Sequence, residues 1–345
     1  MNKSQAAHAS VVRYNFKRRV VATLILAFAG MAGSFLTGSA WSQETISRVG
    51  ILTFFPQGEN PVWDWFVGVI GRRLAEEGWA EGKNLSFEYR SADAEPSQFD
   101  RAAAELVELD VDMILAPSAP ALRAAYSATH SIPIVGLDYT SDPVAYGYVQ
   151  SYGRPGGNVT GLFLDAPEFA GKWFELIGEI VPDLSHVAVL WDPAPGATHV
   201  QAIRGVAKEL DIRLQVLEVH KPSDIDAAFA KLIKQTQAVV VLPSPMTYGQ
   251  SRRLSRLALE YRLPASSMAH DFAKAGGTLS YGPDPAFAAE RLAAIVAKVL
   301  NGSKPAQVPL ERPNKWLLFV NVKTTESLGI TVPQSILLRA DEVIE

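Results

Sequence analysis

An ordered series of strand and helix signals occurs twice in this chain, about 130 residues apart, and this repetition constrains the fold most. The first series opens with an apolar strand at 48–55 (RVGILTFF). Asn60 and Pro61 then start a helix whose Val62, Phe66, Val69, Ile70 and Leu74 recur at helical spacing. A strand at 84–89, a helix at 97–109 and a strand at 112–116 follow, then a helix from Ala119 and a strand at 132–137. The second series has strands at 186–191, 213–219, 238–242 and 263–268, separated by helices at 198–210, 223–235 and 248–261. Strands alternating with helices form parallel βαβ units, so two such series predict an α/β protein with two Rossmann-like lobes.

The strongest echo lies at one junction. Residues 111–120 read VDMILAPSAP and residues 238–245 read AVVVLPSP. Each places a serine, Ser118 or Ser244, between the carboxyl end of a strand and the amino end of a helix. Free backbone N–H groups point outward there, and ligands of open α/β sheets collect at those strand ends. Two such edges imply two lobes facing a cleft.

Between the series, 138–161 (DYTSDPVAYGYVQSYGRPGGNVTG) is rich in Gly, Pro, Tyr and Asn and carries one short strand signal at 146–150. It is expected to cross between lobes. A helix at 167–180 leads into the second series. After it come a strand at 277–281, a helix at 286–300, a proline-containing linker at 302–313, a strand at 316–321, a helix at 324–328 and a polar tail. The expected division is 46–160 with 283–308 for the N-terminal lobe and 161–282 with 309–345 for the C-terminal lobe. Hinges are expected near 158–164, 281–284 and 309–314.

Residues 1–42 read as a secretory signal peptide: a basic stretch ending in Arg18-Arg19, an apolar run from Val20, and Ala40 and Ser42 as the small residues before cleavage ahead of Gln43. The mature chain is therefore expected in the periplasm. A net charge of −4 argues against nucleic acid as a partner. With no cysteine, disulfides, thiolate metal sites and a cysteine nucleophile are excluded. No Gly-x-Gly-x-x-Gly follows the first strand. Phosphate-loop, Gly-x-Ser-x-Gly and metal-spaced histidine motifs are missing as well, so neither cofactor, metal nor catalytic set is expected.

Candidate ligand contacts sit at the strand ends. Ser118 and Ser244 offer hydroxyl and amide donors, although capping alone also explains a serine there. Asp142 and Asp271 hold matching places after the fourth strand of each series and suit a ligand cation; Asp142 precedes Pro143 and equally starts a turn. Phe54, Phe55, Tyr139, Trp191, Tyr248 and Tyr281 cluster at the same edges, where rings would stack on a flat ligand.

Several motifs resemble one family of ABC-transporter substrate-binding proteins, which includes tryptophan- and tyrosine-uptake binding proteins. They are GWAEGKNL at 78–85, SDPV at 141–144, RPGGNVTG at 154–161, AGGTLSYG at 275–282 and LGITVP at 328–333. The resemblance implies a type I periplasmic-binding-protein fold joined by a multi-strand hinge. It further implies a receptor that closes on a small solute, favouring an aromatic or hydrophobic amino acid, and hands it to an inner-membrane ABC permease. A monomer is expected. The loop after the first strand departs from the family's Glu-His-Pro and reads Pro56-Gln57-Gly58-Glu59-Asn60-Pro61. A ligand-sensing partner of a membrane histidine kinase or chemoreceptor uses the same fold and stays open as an alternative; an exported α/β enzyme is a remoter one.

Overall fold

The computed structural model describes residues 46–164 and 167–345; the signal-peptide expectation for 1–42 lies outside the described residues. Two sheets organise the chain. The first contains β1 (Ser47–Thr53), β2 (Leu85–Ser91), β3 (Met113–Ala116), β4 (Ile134–Asp138) and β5 (Val159–Phe163), all parallel, in the order β2-β1-β3-β4-β5. Its connecting helices are α1 (Pro61–Glu76), α2 (Phe99–Glu108) and α3 (Ala119–Ala128). The Asn60 side chain starts α1 by accepting from Val62 N and Trp63 N, each at 3.1 Å.

After α4 (Pro167–Ile180) the second sheet begins. β6 (His186–Trp191), α5 (Thr198–Glu209), β7 (Arg213–Glu218), α6 (Asp224–Ala230) and β8 (Ala238–Val241) come first. Two short pieces, α7 (Pro245–Gly249) and α8 (Ser251–Glu260), precede β9 (Ala265–Ser267), α9 (His270–Lys274) and β10 (Leu279–Pro283). α10 (Pro285–Leu300) then leaves this sheet, and β11 (Trp316–Asn321) returns to it antiparallel to β10. α11 (Val322–Ser327), α12 (Gln334–Leu337) and β12 (Glu342–Ile344) end the chain. The order of the second sheet is β12-β11-β10-β9-β8-β6-β7.

Three apolar layers fill the spaces. One packs the first sheet against α1 and α10 through Ile51, Ile70, Leu292 and Val296. Another packs the second sheet against α4, α5 and α12 through Trp173, Val189, Ile203 and Ile336. The third is continuous between the sheets: Phe99, Leu106 and Leu122 of the first series share it with Met246, Leu254 and Phe272 of the second.

Three crossings join the sheets, and polar contacts tie them together. Glu311 N donates to Gly161 O and Phe163 N to Glu311 O, both at 2.9 Å, while Arg291 grips the Glu311 carboxylate with two bonds of 2.7 and 2.6 Å. Asp284 caps α10 and pairs with Lys315 at 2.7 Å. Burial works to raise the Asp284 carboxyl, but Lys315 and the Phe287 and Ala286 amides outweigh it and hold it below the ordinary carboxylate range.

Several sequence expectations shift. Residues 161–163, expected in the second lobe, pair along the first sheet as part of β5. The strand signal at 146–150 is instead a turn, because Pro143 O accepts from both Tyr148 N and Val149 N. The helix expected over 248–261 starts earlier, at Pro245, and breaks after Gly249. The helix expected from Ser97 begins at Phe99, preceded by a 3-10 turn over Pro96–Gln98. The polar tail folds as α12 and β12, with Asp341 accepting from Leu318 N at 2.8 Å to dock it on β11. Among the described residues no helix is long and apolar enough to cross a membrane.

Candidate functional site

The direction in which successive strands are added reverses at the same place in both sheets, although the strands there stay parallel. In the first it lies between β1 and β3, in the second between β6 and β8. The crevices beyond those strand ends are the natural ligand positions of such sheets. They receive Phe54, Phe55 and Ser118 from one side, and Trp191 and Ser244 from the other.

These residues divide by environment. Phe54 is buried, edge-on to Phe55 with centroids 4.8 Å apart and stacked on Phe99 at 6.1 Å, so it belongs to the core. Phe55 is half-buried and reaches the second sheet's side, where its ring lies against Gly249 at the end of α7. Ser118 is half-buried and caps α3, accepting from Ala121 N at 3.4 Å. Trp191 is half-buried, its indole N–H donating to Gly196 O at 3.2 Å. Ser244 is buried and fully engaged. Its hydroxyl accepts from Thr247 N at 3.0 Å, the Thr247 hydroxyl accepts from Ser244 N at 2.9 Å, and Ser244 also bonds the Asp192 carboxylate. Burial pushes that carboxyl up, while Ala194 N and Ser244 pull it down.

Tyr139 follows β4 in the first sheet and Tyr248 lies in α7 after β8 in the second, near enough for the one to influence the other's charge. Asp138, buried at the end of β4, accepts from Thr140 N and Oγ1, both at 2.8 Å, from Ser141 N at 3.2 Å, and from the Ser141 hydroxyl. These bonds fix the loop that carries Tyr139. Burial nevertheless raises the Asp138 carboxyl. The Tyr139 ring packs against the core layers of both sheets, and its hydroxyl is buried without a hydrogen-bond partner. Burial raises this phenol well above its ordinary range, and the nearby Tyr248 and Asp284 add to the shift. Tyr248 keeps 41% of its surface accessible, yet desolvation strongly raises its hydroxyl as well. Both phenols stay protonated near neutral pH and can donate hydrogen bonds.

Other candidates lie apart from this cluster. Asp142 turns back on its own loop, accepting from Val144 N at 2.9 Å. Asp271 is exposed on the first turn of α9. Tyr281 is sandwiched in the second sheet's outer layer, stacked near Trp316 at 5.6 Å and Phe169 at 6.5 Å. A shallow depression lined by His186, Arg213, Gln215 and Thr236 sits at the amino ends of β6 and β7, opposite the crevice, where the fold provides no ligand edge.

Sequence reasoning missed several contacts that span the two sheets. Arg123 on α3 donates to Ala194 O and Pro195 O, each at 3.3 Å, and the Tyr146 hydroxyl lies against Gly196. Arg123 looks like any exposed helix arginine, and nothing in the sequence marks its partners. Asp138 and Asp192 were missed as well, although each stands at a strand's carboxyl end, the one signal that could have marked them. Trp63, at the start of α1, has a buried indole N–H without a partner. Among the described residues no three His, Cys, Asp or Glu side chains gather as a metal site requires.

The family model described as ABC transporter substrate binding protein matches residues 57–344, and the chain belongs to that family. A tyrosine-binding protein of Clostridioides difficile (strain R20291) is 23% identical over 278 residues, covering 79% of each chain. A solved conserved domain protein from Vibrio cholerae is 26% identical, with a TM-score of 0.79 over 87% of this chain and all of its own. A Streptococcus pneumonia domain in complex with L-Trp is 23% identical, with a TM-score of 0.78 over 87% of this chain and 100% of that one. A ligand-free, open substrate-binding protein from Clostridium difficile, 20% identical, overlays with a TM-score of 0.61, covering 87% of this chain and 99% of its own.

Proposed function

We propose that this chain is the extracytoplasmic receptor of an ABC importer and captures an aromatic amino acid between its lobes. The observation that carries this reading is that Phe55, Tyr139, Trp191 and Tyr248 all stand at or just beyond strand carboxyl ends, with the Phe55 ring against Gly249 across the two sheets, in a family whose relatives include a tyrosine-binding protein and a domain solved with L-Trp. The rings supply apolar area for an aromatic side chain, which favours offset and edge contacts. Ser118 and the first-turn amides of the ten-residue α3 suit the ligand carboxylate. The Tyr139 hydroxyl, buried without a partner, is a donor left over for a polar group of the ligand.

In this reading the lobes are 46–160 with 283–308 and 161–282 with 309–345, adjusted so that β5 and the Glu311 pairing stay with the first sheet. Hinge bending at the three crossings opens and closes the cleft, and ligand favours closure by binding the closed form better. The export segment is cleaved before Gln43, the mature chain works as a periplasmic monomer without a cofactor, and it delivers its solute to an inner-membrane permease. No chemical step is assigned to it.

A thermal-shift screen of residues 43–345 against amino acids, aromatic acids, nucleosides and sugars tests the ligand class. A true ligand at 100 times its Kd adds about 2.7 kcal/mol of stability. The largest shifts are expected with L-tyrosine, L-tryptophan or L-phenylalanine. A shift with sugars or nucleosides alone would overturn the amino-acid reading.

A further inference from the structure

Gly249 closes the five-residue α7, and its backbone is not among the glycines with a positive φ. Alanine is the better helix former, so conformation does not call for glycine here. Close approach does. A Cβ on residue 249 would fall 2.3 Å from Phe55 Cζ and 2.9 Å from Phe55 Cε2, inside any real contact distance. Phe55 belongs to the loop after β1 in the first sheet, whereas α7 follows β8 in the second, so the missing side chain is what lets one lobe seat a ring on the other. A second seat lies on the same interface. The Tyr146 hydroxyl is 2.7 Å from where a Cβ on Gly196 would stand, next to the carbonyls that Arg123 holds. Gly196 also has φ +115°, so its glycine has two reasons, and Gly249 is the cleaner case.

We propose that Gly249 is a positioning residue for closure: by seating the Phe55 ring it sets how much of the protein occupies the closed form, and thereby the apparent ligand affinity. The closure part rests on the hinged two-lobe reading above, and the affinity part on the amino-acid ligand as well. Apparent affinity scales with the fraction of protein already in the binding-competent form, so a methyl group at 249 acts on binding without touching ligand.

The absence of cysteine allows clean site-directed spin labelling. Ser127→Cys on α3 and Lys208→Cys on α5, both exposed, report the interlobe distance by pulsed dipolar spectroscopy. In that background Gly249→Ala is expected to move the ligand-free distance distribution toward longer, open values while the melting temperature holds or rises. Binding of L-tyrosine should weaken about tenfold, equivalent to ~1.4 kcal/mol. Removing the ring decides whether the effect runs through it: Phe55→Ala,Gly249→Ala should match Phe55→Ala alone in both distance and affinity. An unchanged distance distribution in Gly249→Ala would overturn the proposal, as would a further opening when Gly249→Ala is added to Phe55→Ala. If L-tyrosine fails to bind the unmutated chain, the ligand reading fails, yet the ligand-free distances still decide the role of Gly249.

Discussion

The two Pro-Ser junctions look alike in sequence and differ in three dimensions. Ser118 is half-buried, caps the continuous ten-residue α3 through one long bond, and leaves its edge of the crevice accessible. Ser244 is buried in a reciprocal cap with Thr247, holds Asp192, and heads a helix that stops after five residues at Gly249. The repeat therefore places two equivalent strand ends at one cleft but gives them different tasks. The first leaves Ser118 half-buried with a single weak cap bond, while the second is locked internally and its helix stops at Gly249, against which the Phe55 ring lies.

The same asymmetry extends to the first helix of each series. Phe66, Val67, Ile70 and Leu74 bury one face of α1, and His199, Val200, Ile203 and Ala207 bury α5 at identical spacing. His199 thus occupies the place of Phe66, edge-on to Trp173 with centroids 5.7 Å apart. Burial lowers its pKa to about 4 against the ordinary 6.5, opposed only weakly by the Tyr139 backbone. The folded chain resists a proton that the unfolded chain accepts, so this contribution is complete above pH 6.5 and is lost as pH falls toward 4. The loss amounts to about 3 kcal/mol, the largest effect expected here. His270, lowered by burial too, works in the same direction. His199→Phe, which copies the first series, should flatten most of the slope of melting temperature between pH 6.5 and 4. An unchanged slope would show that the second helix does not carry the acid sensitivity.

Next in size is the contrast between the junctions. Ser244→Ala loses a cap and leaves the buried Asp192 short of a donor, for about 2 kcal/mol in urea unfolding. Ser118→Ala removes only a weak cap, for about 0.5 kcal/mol. Equal losses would remove the distinction between a locked and an open edge. Tyr139→Phe is the smallest in the empty protein, within about 0.5 kcal/mol, because the hydroxyl has no partner to lose. It should nevertheless weaken L-tyrosine binding about fivefold, near 1 kcal/mol, in a fluorescence titration.

Much of the fold was legible because periodicity and strand ends are local signals. The alternation gave both sheets, and the Pro-Ser echo gave both crevice edges. β12 was not legible, since three residues carry no pattern until Asp341 docks them on β11. The break at Gly249 was missed because the apolar spacing of α8 runs on in register beyond it. For the proposed site, position named Phe55, Trp191, Tyr139 and Tyr248, and all four lie at or just beyond strand carboxyl ends. Asp142, Asp271 and Tyr281 satisfied the same positional rule but point into a turn, solvent and the outer core layer, a matter of side-chain direction that spacing does not encode. Arg123 and Gly249 act only through partners in the other lobe, roughly 70 and 190 residues away along the chain, which no local pattern records.

The most direct test is calorimetric titration of residues 43–345 with L-tyrosine and L-tryptophan at several temperatures. Saturable one-to-one binding is expected, with a negative heat-capacity change from burying the ligand ring, and Tyr248→Ala should weaken it markedly. No heat with either amino acid, together with an unmoved melting temperature, would contradict aromatic amino-acid capture at this cleft.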